Sequence, residues 1–218
     1  LYHHTNRQLL EWLRICPRKQ ITTLDTHDGL GVVDVADLMS QEHIDRTLEG
    51  LYEKGSNIKR IYSGEAYQNL DIYQVNCTYY SALENNDDSY LAARAIQFFC
   101  PGIPQVYYVG LLAGSNDIEL VERTKNGRDI NRHGYDLDEI EQEMQRPVVQ
   151  RLLRLMTFRS YYPAFNGEFK IEATPENQVG LTWRKGKFLT TLHVDLNTYA
   201  TRITYYDPTV DATKVLAV

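Results

Sequence analysis

A proline closes a helical pattern twice in this chain, and each time a run of strand-forming residues follows. In residues 5–15, Leu9, Leu10 and Leu13 recur at helical spacing with Trp12 beside them. Cys16-Pro17 ends that run, because proline lacks the N–H that a helix interior requires. Residues 20–25, Gln-Ile-Thr-Thr-Leu-Asp, then read as a buried strand. Further on, Asn85-Asn86-Asp87-Asp88-Ser89 opens a second helix through Leu91, Ala95, Phe98 and Phe99, and Pro101-Gly102 closes it. Residues 103–109 supply the second strand, with Pro104 near its start, where a missing donor matters least. Helix, short loop and strand in this rhythm define an α/β fold.

Two other regions break the rhythm. Between the units, Val32, Val33 and Val35 precede a Ser40 N-cap and a helix through Ile44, Leu48 and Leu51 that stops before Gly55. Residues 56–76 are polar and rich in Tyr and Asn, a long irregular connection of the kind that carries function. After the second strand comes a polar loop with a helical turn near 118–123. A short acidic helix over 136–144 follows, then a longer one with Pro147 in its first turn and Val148, Leu152, Leu155 and Met156 along it. Beyond Pro163 the pattern turns β-rich at 169–171, 179–184 and 190–194, with Lys185-Gly186-Lys187 as a turn. The expected organisation is an α/β domain from 1–29 and 85–164, an insert at 30–84, and a small antiparallel β domain at 165–218.

Composition sets several partners aside. The 218 residues hold 29 acidic and 23 basic side chains, a net charge of -6, so no basic stripe offers itself to nucleic acid or to an anionic membrane. No apolar run is long enough to span a bilayer. Cys16, Cys77 and Cys100 are few, odd in number and lack metal-ligand spacing; they read as buried thiols in a reducing compartment, which makes the expected location cytoplasmic. Sixteen tyrosines supply rings that suit either sugar sites or cores. The chain opens on Leu1-Tyr2-His3-His4, without an initiator Met or a signal-peptide pattern, and passes almost at once into a helix. It reads as a chain entered partway through a domain.

Three segments concentrate chemistry. Leu24-Asp25-Thr26-His27-Asp28-Gly29-Leu30-Gly31 sets two acids and a histidine between an apolar run and two glycines. It reads either as a turn in which Asp28 caps amides, or as the acidic end of a barrel strand, where α/β barrels place their sites. Asn126-Gly127-Arg128-Asp129-Ile130-Asn131-Arg132-His133 reads equally as a solvated loop or as a segment whose arginine grips hydroxyls or an anion. Asn69-Leu70-Asp71-Ile72-Tyr73-Gln74 alternates as an edge strand would, or lines a sugar site. His3, His4 and His193 read as structural or exposed, and the acidic stretch 136–143 as a solvated helix face. No metal site, phosphate-binding glycine loop or Gly-x-Ser-x-Gly elbow is present in the sequence.

Taken in order, "TTLDTHDGLGVVDV", "NLDIYQVNCTYYSAL", "ARAIQFFCPGIPQVYYVGLLAG" and "NDIELVERTKNGRDINRHGY" resemble glycoside hydrolase family 13, the α-amylase-like barrel enzymes, and within it the phosphorylase branch that splits sucrose with phosphate. The resemblance spans essentially the whole chain. It implies the C-terminal part of a (β/α)8 TIM barrel, with residues 20–25 and 103–109 as the seventh and eighth strands and a small antiparallel β domain behind them. It implies a retaining double displacement that converts sucrose and phosphate to α-glucose 1-phosphate and fructose. Asp28 matches the acid that stabilises the transition state, and His27 the histidine that hydrogen-bonds the glucosyl hydroxyls. Arg128 matches an arginine at the far end of that pocket, and Leu70, Asp71, Tyr73 and Gln74 match the loop on the acceptor side. No metal and no organic cofactor is implied. The partners implied are small molecules, with a homodimer as the assembly of a full-length protein.

The sequence departs from that pattern in one respect. The family's nucleophilic Asp and acid/base Glu belong to its fourth and fifth strands, which have no counterpart here. The expectation is a fragment that is inactive and poorly soluble alone, since part of a barrel exposes strand edges. A phosphorylase of sucrose 6'-phosphate or of glucosylglycerol-type glucosides, and a non-catalytic sugar-binding remnant, are the competing readings; Tyr73 suits an uncharged fructosyl group.

Overall fold

The computed structural model of the chain describes residues 1–32, 35, 38–53 and 74–218. They divide into two compact units, one made of Leu1–Thr22, Asp88–Gln105 and Gln150–Val218, the other of Thr23–Asp87 and Val106–Val149.

In the first unit, helix α1 (Arg7–Ile15) buries Leu10 and Leu13. Cys16 leaves the helix with φ -60° and ψ 146°, the extended geometry that a following proline imposes. Asn6 before the helix does not cap it. Its amide donates instead to the carbonyls of Pro175, at 3.0 Å, and Gln178, at 2.6 Å. Strand β1 (Ile21–Thr22) runs parallel to β4 (Ile103–Pro104), with Ile21 opposite Ile103. Gly102, at φ +115°, makes the approach possible, because a Cβ there would stand 2.4 Å from the Gln20 carbonyl oxygen.

The two strands are shorter than expected. Residues 103–109 pair only as far as Pro104, and Tyr108–Leu111 instead form a helical turn, α5. Residues 20–25 pair only at Ile21–Thr22. A β-branched run forms a ladder only where a partner strand faces it, and here the one ladder ends under a single side chain. Gln97 Nε2 donates to the carbonyls of Thr22, at 2.9 Å, and Gln105, at 2.8 Å, closing both strand ends. Gln97 belongs to helix α4 (Asp87–Phe99), which is buried from Ser89 onward and so presents no face to solvent there. Arg94 on it is fully buried, and its guanidinium donates to Tyr90 Oη and Gln97 Oε1.

Helix α8 (Pro147–Tyr161) leads into the C-terminal sheet. Its Arg159 donates to the carbonyls of Phe98 and Gly102, both at 2.7 Å, satisfying acceptors at the end of α4. Burial lowers the Arg159 pKa below its usual value. The sheet is an antiparallel meander in chain order: β5 (Glu168–Ile171), β6 (Gln178–Lys185), β7 (Phe188–Asp195), β8 (Thr201–Asp207) and β9 (Ala212–Leu216). An antiparallel C-terminal β domain was expected, and the sheet adds two strands to the three read from the sequence. Alternation turns Val179, Leu181, Trp183, Leu192, Val194 and Ile203 inward. Trp183 Nε1 donates to the Phe99 carbonyl at 2.8 Å, while Phe158, Tyr162, Phe165 and Phe99 pack as an aromatic cluster. Many of the chain's aromatic rings therefore fill a core. His4, read as structural or exposed, is structural: its Nδ1 lies 2.5 Å from the Leu196 carbonyl.

The second unit holds β2 (Leu30–Gly31) antiparallel to β3 (Gln74–Val75), and helix α2 (Gln41–Glu53). Ser40 Oγ caps α2 through the His43 N–H at 3.3 Å, as the sequence predicts. A one-turn helix α3 (Tyr79–Ala82), helices α5, α6 (Ile118–Thr124) and α7 (Leu137–Glu143), and a 3₁₀ turn (Gly127–Asn131) complete it. Among the described residues no helix is long and apolar enough to cross a membrane.

Candidate active site around Asp28

The stretch 26–29 is a tight turn. Gly29 N–H donates to the Thr26 carbonyl at 3.1 Å, and Thr26 Oγ1 accepts from the Asp28 N–H at 3.2 Å. Gly29 sits at φ +100°, and a Cβ on it would fall 2.2 Å from the Val75 carbonyl oxygen, so the position excludes every other residue on two counts. Asn76 Nδ2 donates to the Asp28 carbonyl at 2.9 Å and holds the turn from the β3 side. With its backbone committed in this way, the Asp28 side chain is left to project.

Its carboxylate meets two arginines on a single oxygen. Arg128 Nε and Arg132 Nη2 each lie 3.2 Å from Asp28 Oδ1, and His27 Nε2 lies 3.4 Å from the same atom. The two arginines differ. Arg132 makes a hydrogen bond to Oδ1, and its Nε also donates to the His27 carbonyl at 3.1 Å. Arg128 Nε is buried with no hydrogen-bond partner among the described residues, so its approach to Asp28 is a charge contact without an aligned N–H. Oδ2 of Asp28 accepts no hydrogen bond among the described residues.

The opening stretch is therefore a turn that presents an acid, but not the capping turn that one reading expected. Asp28 does not cap neighbouring amides, and His27 does not pack, its side chain being 63% exposed.

The arginines sit on a segment with its own scaffold. Lys125 ends α6 at φ +58°, Asn126 Oδ1 caps the 3₁₀ turn through the Arg128 N–H at 3.2 Å, and Asn126 Nδ2 donates to Asp129 Oδ1. Three consecutive residues then each grip a different place. Asn131 Nδ2 donates to the Thr26 carbonyl, Arg132 reaches the turn as described, and His133 lies between two carboxylates. His133 Nδ1 is 2.6 Å from Asp117 Oδ2 and Nε2 is 2.8 Å from Glu139 Oε1. Carboxylates only accept, so both contacts are hydrogen bonds when both ring nitrogens carry a proton, and the clasp favours the imidazolium. Burial alone lowers its pKa, but the hydrogen bonds and charges of Asp117 and Glu139 outweigh that, and the net shift is upward. Tyr107 and Tyr108 hydroxyls donate to the Asn131 and His133 carbonyls at 3.1 and 2.7 Å.

The acidic stretch 136–143 is correspondingly more than a solvated face. Asp136 and Glu139 form a capping box on α7, while Glu139 and Glu143 turn toward His133 and Arg146. Arg132 was not singled out from the sequence; the signal was available in its spacing of four residues from Arg128 within one polar segment.

A cleft of about 540 Å³ opens beside the turn, lined by Asp28, Thr26, Leu51, Tyr79 and Gln74 among others. Gln74 was expected at the site and shares this cleft with Asp28; its Nε2 is buried without a partner among the described residues. Leu70, Asp71 and Tyr73 lie outside the described residues. The other acid lining the cleft, Asp25, is only 2% exposed, too deep to offer a nucleophile. Among the described residues no group of three or more His, Cys, Asp or Glu could hold a metal ion.

A carboxylate held by cations at one oxygen, with the other free of hydrogen bonds among the described residues, is an arrangement that stabilises a developing positive charge, as at a sugar's anomeric carbon. The comparisons with known proteins agree with that class. No family model matches the chain. The chain is 50% identical over 200 residues to glucosylglycerol phosphorylase of Marinobacter adhaerens, which covers 91% of this chain and 42% of that protein. It is 48% identical over 214 residues to sucrose phosphorylase of Streptococcus mutans, covering 96% and 44%. The crystal structure of sucrose 6F-phosphate phosphorylase from Thermoanaerobacter thermosaccharolyticum superposes with a TM-score of 0.90 at 47% identity, over 99% of this chain and 43% of that one. The chain is a homologue of sucrose phosphorylases and the related phosphorylases of glycoside hydrolase family 13, and corresponds to a C-terminal portion of them. It spans under half the length of the curated relatives it matches.

Proposed function

We propose that the chain is the C-terminal part of an α-glucoside phosphorylase that transfers a glucosyl group from sucrose to phosphate. The observation that carries this reading is the Asp28 carboxylate, held at one oxygen by Arg128 and Arg132, with no hydrogen bond to the other oxygen among the described residues. In the first displacement an enzyme carboxylate attacks the glucosyl carbon as the bond to fructose breaks and an acid protonates the leaving oxygen. In the second, phosphate attacks the same carbon, the enzyme carboxylate leaves, and α-glucose 1-phosphate forms with retention. Asp28 stabilises the oxocarbenium-like transition state of both steps. His27 and Arg128 bind the glucosyl hydroxyls, and Leu70, Asp71, Tyr73 and Gln74 line the acceptor side. The nucleophile and the acid/base come from strands outside this chain, so the 218 residues alone are inactive.

Barrel architecture supports the same reading. Parallel strands are ordinarily covered on both faces and continued by neighbours. In the β1–β4 pair, Ile21 is 66% and Ile103 71% exposed, apolar side chains that further strands of a (β/α)8 barrel would bury. On this reading β1 and β4 are the seventh and eighth strands, 30–84 is the insert after the seventh, and 165–218 is the C-terminal β domain. The buried thiols Cys16, Cys77 and Cys100 suit a cytoplasmic enzyme.

Relatives named for sucrose, for its 6F-phosphate and for glucosylglycerol are similarly close, at 47–50% identity, so the test uses all three donors. The full-length protein is incubated with each donor and inorganic phosphate, and α-glucose 1-phosphate is measured. Release from sucrose is the expected result; release from none of the three overturns the function. The 218-residue chain assayed alone is expected to release none.

A further inference from the structure

Resting on the function just proposed, we infer that Arg132 is a positioning residue for glucosyl transfer: it fixes the Asp28 carboxylate and the turn that carries it, while Arg128 is left to the sugar. One guanidinium makes the attachment at two levels. Nη2 donates to Asp28 Oδ1 at 3.2 Å and orients the side chain, and Nε donates to the His27 carbonyl at 3.1 Å and fixes the backbone from which that side chain departs. Such a two-point grip suits a planar, always-charged fork and not a lysine, whose single ammonium on a flexible stem reaches one acceptor well. Nη1, 3.5 Å from Asp129 Oδ1, steadies the fork from its own segment. Arg132 is itself held from both sides, because Asn131 binds the Thr26 carbonyl and His133 is clasped by Asp117 and Glu139.

The division of labour follows from the contrast with Arg128. Both arginines are 3.2 Å from the same oxygen, yet among the described residues only Arg132 spends aligned side-chain donors on the protein. Arg128 makes no side-chain hydrogen bond among the described residues and its side chain is 26% exposed, which leaves its guanidinium for a ligand hydroxyl. Arg132 should therefore act on the transition state through Asp28, and Arg128 on sugar binding.

The test is steady-state kinetics of the full-length protein and its Arg132→Gln, Arg132→Lys and Arg128→Lys variants, with thermal melting of each. Expected for Arg132→Gln is a fall of about 10- to 100-fold in kcat, the fold-change for one charge-assisted hydrogen bond. kcat/KM should fall equally and the donor KM stay unchanged, the pattern of an interaction that counts only in the transition state. Arg132→Lys should fall between, and added guanidinium ion below denaturing concentration should restore part of the lost rate. Arg128→Lys should instead raise the donor KM. A kcat within about twofold of wild type, a loss confined to donor KM, or a loss that neither lysine nor guanidinium restores overturns the inference. If Arg132→Gln does not fold, Arg132→Lys decides by the same readouts. An active wild type with an indifferent Arg132 refutes this inference alone; an inactive wild type refutes the function beneath it.

Discussion

His133 makes one pH dependence of the fold's stability calculable in sign and rough size. Its ring nitrogens lie 2.6 Å from Asp117 and 2.8 Å from Glu139, contacts that a protonated ring makes as two donors, and the Tyr135 ring meets it in a T-shaped contact at 4.5 Å between centroids. Its pKa in the fold is raised above the ordinary histidine value. A group raised on folding contributes stability that is complete below the unfolded pKa, near 6.5, and is lost as pH rises through the folded one. His133→Gln isolates the charged part of the clasp, since a glutamine amide still donates to one carboxylate but not to two. Each charge-assisted hydrogen bond is worth about 1.5–3 kcal/mol. Because the Glu139 side chain is 39% exposed, that range is discounted toward the surface-pair value, giving a loss of about 1–2 kcal/mol at pH 6. The assay is urea unfolding of wild type and variant at intervals from about pH 6 to 9, the span over which histidine titrates. The difference between them should be greatest at the acid end and shrink toward zero at the alkaline end, where the neutral ring has a single N–H. A difference that is flat with pH, or that grows as pH rises, refutes the assignment of both nitrogens as donors.

Two further outcomes can be checked directly. Gly29→Ala forces a left-handed φ on alanine and drives its Cβ toward the Val75 carbonyl. It should destabilise the protein by about 1–3 kcal/mol, measured by denaturation, and unchanged stability would refute it. Burial raises the Cys77 thiol to about 12, with Asp25 adding to the rise, and burial raises the Cys100 thiol to about 12, with Cys16 adding to it. Neither should react with a thiol reagent at pH 8 until the protein unfolds, and rapid labelling of native protein at either residue, located by mass spectrometry, would contradict that.

Features written in a few adjacent residues were legible without coordinates. Pro17 forces Cys16 out of α1, Ser40 caps α2, and the helices over 118–124 and 147–161 begin where the pattern places them. Features that depend on a distant partner were not. Strand length belongs to this class: residues 103–109 are β-branched and aromatic, yet ordering past Pro104 requires a facing strand, and the chain turns into α5 instead. The same reasoning applies to the site. His27, Asp28 and Arg128 were identified through a resemblance, and the structure brings them together. Arg132 went unnoticed because its importance lies in atoms 104 and 105 residues away in sequence. The acidic stretch 136–143 looked like solvent-facing charge for the same reason: Glu139 declares its role only once His133 stands beside it.

The attachment of residues 131–133 to three different places has a consequence for anyone re-engineering this region. Residues 126–133 carry their own cap at Asn126, both arginines, and a foothold on Asp117 and Glu139 at the far end. They behave as a single cassette with fixed length. Side chains along it can be exchanged one at a time, but an insertion or deletion inside it would shift every later residue by about a third of a 3₁₀ turn. The arginines, the asparagine and the histidine would then miss their partners together. Loop grafts between relatives should therefore move 126–133 whole, and place any change of length before Asn126 or after His133.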